Sequence, residues 1–383
     1  MKKLARLIPA FLIGIIIIGC SSTTQTSEPS FEEQVADYIV KYSYQETHRL
    51  AMSYTEGDPA KLNTWIVGAT PALVKAGEDL VVRMNNDTYY KLAFLDFSKG
   101  PVTLSSNNPS KERFSSFQLM DDRNTNFRNV IHPDGSYTLY YGQKPEEFEG
   151  EAIEAPSQFA VVIVRVEVKD QDNADDVADA QAVFEGIFID GPRLDEMSKL
   201  DLLSGFDEEV ETEAHRRIDS TATNSAFREL AAGTDQVPEQ VSYLSLAAGS
   251  KVGWGAPVPS HSSYEALFLD KNGENMMGER GTYNITTEEP QVDAFWSVTV
   301  YDTERGGYLH PNDEDKYHIN NTNAVKNEEG TVTFTFKQEC EGADLNCLEV
   351  PAGQFDLTLR YYLPSDEIIS GKWTIPRAEL MSE

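Results

Sequence analysis

Residues 159–168 read FAVVIVRVEV, and this stretch decides the fold class. Eight of the ten positions are apolar, and valine and isoleucine account for six of them. A nearly continuous run of this kind is typical of a strand that is buried on both faces. We therefore expect residues 159–168 to form a central strand of a β-sheet.

Segments with a period of two lie on the N-terminal side of this strand. They are separated by the turn-forming clusters SKGP, NNPSKE and PDG. The predicted strands are 80–84, 90–96, 102–106, 114–120 and 136–141. Several short strands at this spacing are typical of a sandwich or a barrel.

The same pattern returns after Gly249. Strands are predicted at 282–286, 294–301, 331–337, 355–362 and 372–376. In FDLTLRYYL (355–363), apolar residues alternate with Asp356, Thr358 and Arg360. That alternation predicts a half-buried antiparallel strand with these three polar residues on the outer face.

Helical spacing occurs before the first β-rich part and again between the two β-rich parts. It covers 31–53 near the N-terminus, and the segments 175–184, 194–203, 208–218 and 226–232 in the middle, where Pro238 suits a first helical turn. The sequence thus predicts a mainly β fold with a helical segment, an N-terminal β-sandwich and a C-terminal β-sandwich.

The N-terminus has the pattern of a secretory signal peptide. Lys2, Lys3 and Arg6 precede the apolar run LIPAFLIGIIIIG (7–19), which is too short to span a bilayer. The tetrapeptide IIGC ending at Cys20 resembles the lipobox of bacterial lipoproteins. In that class the cysteine becomes the acylated N-terminus, so the resemblance implies a lipid bilayer partner reached through Cys20.

The residues after Cys20 predict the address of the protein. Ser21 follows the cysteine, and in the Gram-negative sorting pattern this favours the outer membrane. We expect the protein to face the periplasm. The stretch SSTTQTSEPS (21–30) is small and polar, which predicts a flexible tether.

The charge of the chain excludes one class of partner. It carries 32 Lys and Arg against 63 Asp and Glu, a formal net charge of −31. A surface this negative repels phosphate backbones, so nucleic acid is not expected as a partner, and direct docking onto anionic lipid is disfavoured. The acidic residues indicate either a solvated surface or an acidic cleft for cationic substrates.

Two cysteines remain besides Cys20. Cys340 and Cys347 are separated by six residues, and no histidine lies near them in sequence. A metal site would need further ligands, whereas the oxidising periplasm favours a disulfide. We expect a disulfide between them and no metal or cofactor.

Longer motifs carry a family resemblance. NNDTYYKLAFLDFSKGPV (85–102) and KERFSSFQLMD (111–121) resemble the module called domain of unknown function 1254. A second set resembles domain of unknown function 1214: LDKNGENMMGERGTYNI (269–285), DAFWSVTVYD (293–302), KYHI (316–319), PAGQFDLTLRYYLP (351–364) and GKWTIP (371–376). The resemblance implies an N-terminal β-sandwich, a helical segment and a C-terminal jelly-roll-like β-sandwich, but no settled activity.

The expected organisation follows from the resemblance and the composition together. It comprises a signal peptide (1–19), a tether (20–30), a helix (31–62), a first β-sandwich (63–170), a helical segment (171–249) and a jelly-roll-like domain (250–383). The chain departs from the family where NCLEVP (346–351) has cysteine in place of the usual tryptophan, and where KYH (316–318) replaces R-Y-S. The cysteine pair would then be a local brace in place of the packing of that tryptophan.

No standard catalytic motif occurs, and whether the protein is an enzyme stays open at this stage. The segment HPNDEDKYH (310–318) joins His310 and His318 with three acidic residues. It is either a cation site or an exposed acidic loop, and the loop is the simpler interpretation.

The candidate ligand-binding residues are polar side chains near the start of the first sandwich. Arg83, Asn85 and Asp87 would share one face of a strand. Tyr90 and Arg113 belong to the same predicted sandwich. These residues either form turn architecture, in which Arg113 neutralises Asp87 or Asp96, or line a ligand site between the domains.

Two aromatic residues complete the candidate set. Tyr301 would reach the site from the second module. Trp254, between two glycines, is free to stack on a sugar or ring, unless it packs in the core. The sequence therefore favours a periplasmic binding or envelope-maintenance module for a small molecule or glycan. The alternative is a hydrolase that uses carboxylates from an inter-domain cleft.

Overall fold

The computed structural model describes residues 28–68, 70–78, 83–108, 112–197, 200–224, 232–233, 242–342 and 344–381. The predictions for the signal peptide, Cys20 and most of the tether lie outside these residues. So do residues 80–82 of the strand predicted at 80–84, most of the predicted helix at 226–232, and Pro238; residues 83 and 84 form no strand.

The first β-rich part is a two-sheet sandwich. One sheet has the order β1-β7-β3-β4-β9 and the other the order β6-β5-β2-β8. The strands are β1 (Thr88–Asp96), β2 (Val102–Ser106), β3 (Ser115–Asp121), β4 (Thr125–Ile131), β5 (Gly135–Tyr140), β6 (Glu151–Glu154), β7 (Phe159–Glu167), β8 (Ile187–Asp190) and β9 (Ala232–Gly233).

Strand β7 lies between β1 and β3 and pairs antiparallel with both, from Thr88↔Glu167 to Asp96↔Phe159 on one side. All nine of its residues are buried. The continuous apolar run therefore forms a central strand, as predicted. Residues from both sheets form a common core, which includes Leu104, Phe117 and Val162.

The second β-rich part is another two-sheet sandwich, with the orders β10-β17-β12-β13, where β14 also pairs with β12, and β16-β15-β11-β18. Its strands are β10 (Ser262–Leu267), β11 (Tyr283–Thr287), β12 (Trp296–Asp302), β13 (Tyr308–Leu309), β14 (His318–Asn320), β15 (Val332–Lys337), β16 (Cys347–Glu349), β17 (Phe355–Tyr362) and β18 (Glu379–Leu380).

A disulfide joins Cys340, in the loop after β15, to Cys347, the first residue of β16. Strands β15 and β16 run parallel, with Thr335 opposite Cys347. The bond therefore closes the short crossover between two neighbouring strands.

The described helices are Phe31–Thr55, Ala174–Glu185, Glu208–Asn224, Tyr243–Val252 and the short Asp366–Ile369. Short 3-10 turns occur at Pro59–Lys61 and Gly278–Arg280. The first long helix begins with a capping box, in which the Ser30 hydroxyl accepts from the backbone of Glu33 and the Glu33 carboxylate accepts from Ser30. None of the described helices has the length and apolar character needed to cross a bilayer.

Three of these helices pack around one small core. Val35 and Ile39 of the first helix meet Ala214 and Ile218 of Glu208–Asn224, and Ala247 of Tyr243–Val252. The mainly β fold with a helical segment is therefore confirmed.

Several predicted elements are wrong. Residues 194–197 and 200–203 are irregular, because Leu194 packs into the apolar cluster beside β1 and β7 without a helical repeat. Residues 372–376 form no strand, and the C-terminal pairing is made by β18 instead. Nine strands of the described residues were not predicted, since their alternation is weak or short: β4, β6, β8, β9, β10, β13, β14, β16 and β18.

Candidate functional site

The segment that precedes β1 joins the two sandwiches. Arg83 lies in a turn with φ +50°, so Arg83, Asn85 and Asp87 do not share a strand face as predicted. The Arg83 backbone N–H donates to the Gly307 carbonyl at 2.8 Å. Its guanidinium donates to both carboxylate oxygens of Asp356 on β17, at 3.2 and 3.0 Å. A bidentate ion pair of this kind fixes the relative orientation of the two side chains and also contributes stabilising energy.

The next polar residues bind the second sandwich through their side chains. Asn85 donates a short hydrogen bond to the Tyr362 hydroxyl, and its own side-chain oxygen accepts from the Asp87 backbone at 2.6 Å. The Asp87 carboxylate accepts from the Ser297 hydroxyl, again at short distance. Both Asp87 and Ser297 are fully buried.

A buried arginine on the other side completes this polar interface. Arg360 donates to the Arg83 carbonyl at 2.7 Å and to the Tyr301 hydroxyl at 2.7 Å. The Tyr301 hydroxyl donates in turn to the Met84 carbonyl at 2.6 Å. Burial raises the pKa of Tyr301 to about 12, with Asp87 and Asp356 adding to the rise and Arg360 opposing it. Tyr301 is therefore a neutral hydrogen-bonding group at neutral pH.

A cavity of about 180 Å³ lies beside this interface. Four strands supply its walls, with two side chains each at a spacing of two residues, which is the period of one strand face. These pairs are Tyr90 and Leu92 on β1, Ile163 and Arg165 on β7, Tyr264 and Ala266 on β10, and Thr358 and Arg360 on β17. The cavity therefore lies between the outer face of one sandwich and the outer face of the other.

The remaining walls come from the ends of helices. Tyr54 lies in the last turn of Phe31–Thr55, Val252 ends the helix Tyr243–Val252, and residues 253–256 follow it. Trp254 is partly buried, donates from its indole N–H to the Thr47 hydroxyl at 3.0 Å and packs 5.9 Å from Phe94. Trp254 therefore lines the cavity, and its contacts with Thr47 and Phe94 hold the indole ring in place.

The cavity is mostly apolar but carries two deeply buried guanidinium groups. Arg165 and Arg360 are 5% and 3% exposed. The Arg165 guanidinium lies 5.3 Å from the ring centre of Tyr90, and that of Arg360 lies 5.5 Å from the ring of Tyr264. Burial also raises the pKa of Tyr264 and of Tyr54, so both phenols are neutral donors at neutral pH. Such a site can bind and orient an anion or an aromatic group.

The structure brings together most of the candidate residues, but not all. Arg83, Asn85, Tyr90 and Trp254 line the cavity. Asp87 and Tyr301 lie behind its wall, in the interface between the sandwiches.

Arg113 lies elsewhere, which corrects the expectation that it neutralises Asp87 or Asp96. Its guanidinium donates to the carboxylate of Asp179 at 2.9 Å, to that of Asp176, and to the Glu167 carbonyl at 2.8 Å. Both aspartates belong to the helix Ala174–Glu185, whose proximity to residue 113 no local pattern reveals. Arg113 therefore fastens that helix to the first sandwich.

Asp96 is also remote from the cavity. One of its carboxylate oxygens accepts from the Ser98 backbone at 2.8 Å, in a turn at the end of β1. It lines a different, smaller depression together with His48 and Asp122.

The HPNDEDKYH segment does not form one cluster. His318 is buried on β14, with its Nδ1 atom 3.0 Å from the side-chain oxygen of Asn86. Burial lowers the pKa of His318, while Asp87 partly opposes this. Asp315 instead pairs with Lys75 at 2.5 Å. Among the residues that the structure describes, no group of three or more His, Cys, Asp or Glu is placed to hold a metal ion.

Sequence reasoning missed Arg165, Tyr264, Thr358 and Arg360 as site residues. One signal was available for Arg165, because a charged residue inside an apolar, doubly buried strand requires a partner or a site. Arg360 gave no such signal, since alternation placed it on a face that was expected to be partly solvated.

Fold and cavity together define a protein of two β-sandwiches, held by a polar interface, with a small site between their outer faces. The family described as "Protein of unknown function (DUF1254)" matches residues 67–190. The family described as "Protein of unknown function (DUF1214)" matches residues 261–366. The chain thus carries a DUF1254 module followed by a DUF1214 module, which confirms the resemblance seen in the motifs.

Two solved structures are similar to this chain to different degrees. The crystal structure of the VPA0106 protein from Vibrio parahaemolyticus matches with a TM-score of 0.75 and 18% identity, covering 92% of this chain and 100% of that one. An uncharacterised protein from Burkholderia cenocepacia matches with a TM-score of 0.45 and 12% identity, over 91% of this chain and 94% of that one. No curated protein matches the sequence. The first likeness shows a common fold.

Proposed function

We propose that this protein is a lipid-anchored envelope protein that binds a small organic molecule between its two sandwiches. The observation that carries the proposal is the cavity of about 180 Å³, whose wall combines apolar side chains with Arg165 and Arg360. Apolar pockets with a few convergent polar groups, placed between domains, are the usual form of small-molecule sites.

The lining groups favour binding over the alternative, hydrolysis. The described titratable side chains of this cavity are tyrosines and arginines, which donate hydrogen bonds but are poor proton acceptors at neutral pH. The nearby buried carboxylates of Asp87 and Asp302 lie outside the cavity wall and accept from the Ser297 hydroxyl and the Arg305 backbone N–H, respectively. A binding role uses the site as it is built.

Anchoring through Cys20 is supported by the sequence of residues 1–20 and by the start of the folded body. The first helix begins at Phe31, about ten residues after Cys20. A fully extended tether of that length spans roughly 35 Å. A tether of this length would keep the binding module close to the outer membrane, on the periplasmic side.

The test is a thermal-shift screen of the full-length protein against small acids, esters, amides and sugars. A ligand that binds only the folded state adds about 2.7 kcal/mol to the free energy of unfolding at a hundredfold excess over Kd, and this raises the melting temperature. Ala266→Phe fills the cavity from β10 and should abolish the shift. Ala178→Phe, on the exposed face of Ala174–Glu185, is the matched control and should retain it. A shift that survives Ala266→Phe would place binding elsewhere.

A further inference from the structure

We infer that the ligand of this cavity is a small monocarboxylate with an apolar body of about one ring, and that its carboxylate pairs with Arg165. The inference rests on the proposed binding function and adds the chemical class of the ligand.

The hydrogen bonds of Arg165 leave its guanidinium incompletely satisfied. One amino group donates to the Gln118 side-chain oxygen. The other reaches the Gly255 carbonyl only at 3.4 Å, the Tyr90 side chain is a further neutral partner, and Nε has no hydrogen-bond partner. Arginine keeps its charge in proteins, and a buried cation without full pairing costs several kcal/mol. The Arg165 guanidinium can therefore donate a hydrogen bond to a further partner.

Two other arginines of the molecule, Arg83 at the interface and Arg113 within the first sandwich, show what Arg165 lacks. Arg83 forms an ion pair with Asp356, and Arg113 forms ion pairs with Asp176 and Asp179. Among the described residues, no Asp or Glu lies within 4.0 Å of the Arg165 guanidinium. The missing partner is an anion.

The charges around the cavity limit that anion to a single charge. Its described wall contains Arg83, Arg165 and Arg360 and no acidic residue. Asp356 compensates Arg83, and the buried Asp87 attracts Arg360. One positive charge remains, at Arg165, in a chain whose formal net charge is −31. This local excess opposes the field of the rest of the molecule and favours a monoanion.

The size and chemistry of the cavity describe the rest of the ligand. An apolar cavity of roughly 150 Å³ admits benzene, so about 180 Å³ suits one ring or a short branched chain. Leu92, Ile163 and Ala266 supply apolar wall, and Tyr90 and Trp254 supply aromatic wall. Thr358 lies on the same wall, and its buried hydroxyl has no hydrogen-bond partner, so a small side-chain rotation would let it donate to a second carboxylate oxygen.

The test compares benzoate with its neutral and cationic analogues, benzamide and benzylamine, by calorimetric titration of the full-length protein. We expect benzoate to bind at least about tenfold more tightly than benzamide, as a charged hydrogen bond to a buried guanidinium implies. Arg165→Met should remove this preference, and Arg165→Lys should keep part of it. Arg128→Met, at an exposed pair with Glu151, is the control and should behave like the wild type.

The outcomes separate this inference from the proposed function. Equal binding of benzoate and benzamide, or a preference that survives Arg165→Met, overturns the carboxylate inference while the binding function stands. Tighter binding of benzylamine overturns it in favour of a cationic ligand. If none of the three binds, the inference fails, and the broader thermal-shift screen with Ala266→Phe decides whether the binding function fails too. The wild-type comparison decides the case even if Arg165→Met does not fold.

Discussion

The carboxylate of Asp87, just before β1 of the first sandwich, accepts a hydrogen bond from the hydroxyl of Ser297 on β12 of the second. Both residues are 0% exposed. The other Asp87 oxygen has no hydrogen-bond partner, and the Arg360 guanidinium attracts the Asp87 carboxylate electrostatically. The contact therefore belongs to the structural interface of the modules, behind the cavity wall.

Asp87→Asn should act on stability. The substitution removes a buried charge that accepts from Ser297 and attracts Arg360, so we expect the free energy of unfolding to fall by about 1.5–3 kcal/mol. Chemical denaturation measures this, and Asp313→Asn, at an exposed carboxylate, is the control. Ligand binding should persist in the folded protein. An Asp87→Asn protein that is as stable as the wild type but no longer binds ligand would assign Asp87 to the site.

Lys91 should make stability rise with pH in the alkaline range. It is buried inside the first sandwich, 4.4 Å from the ring centre of Phe184, and donates to the Ile187 carbonyl at 2.7 Å. Burial lowers its pKa from 10.5 to about 8. Between these values the unfolded chain binds one more proton than the folded chain, so the free energy of unfolding increases as pH rises from about 8 towards 10.

The measurement is denaturant unfolding from pH 7 to 9.5. Lys91→Met should lack this gain, whereas Lys144→Met, at an exposed lysine, should show it as the wild type does. Identical pH profiles for the wild type and Lys91→Met would refute the assignment.

Loss of the Cys340–Cys347 bond should destabilise the second sandwich. Cys347 is buried, so the double alanine variant avoids placing a hydroxyl in the core. Opening a loop this short costs roughly 2.5 kcal/mol in the chain-entropy model. Reductant should lower the melting temperature of the wild type and leave that of the variant unchanged. A wild type that ignores reductant while peptide mapping finds free thiols would contradict the bond.

Cys20→Ala should abolish lipidation. We expect an alkynyl fatty acid to label the wild-type protein, and the wild-type protein to sediment with outer-membrane vesicles. The alanine variant should carry no label. Cys340→Ala/Cys347→Ala is the control for labelling at other cysteines and should keep the label. Label on the Cys20→Ala protein would reject the lipoprotein assignment.

The sequence predicted the strand faces that build the two cores. The continuous run in β7 identified a central strand, and the alternation in β17 identified the residues that point into the second core, from Phe355 to Tyr361. These predictions succeed because strand periodicity is local: neighbouring side chains point to opposite faces whatever the strand pairs with. The two family modules were also recognisable from their motifs.

The opposite faces could be assigned only in the folded molecule. Asp356, Thr358 and Arg360 were expected on a partly solvated face, yet all eight residues of β17 are buried. They face the first sandwich, where Arg83 and Arg165 lie more than a hundred residues away in sequence. Alternation reveals that a strand has a polar face, but contacts between distant segments decide whether water or another sheet covers it. The residues of the cavity were therefore present in the sequence, and only tertiary packing turned them into one site.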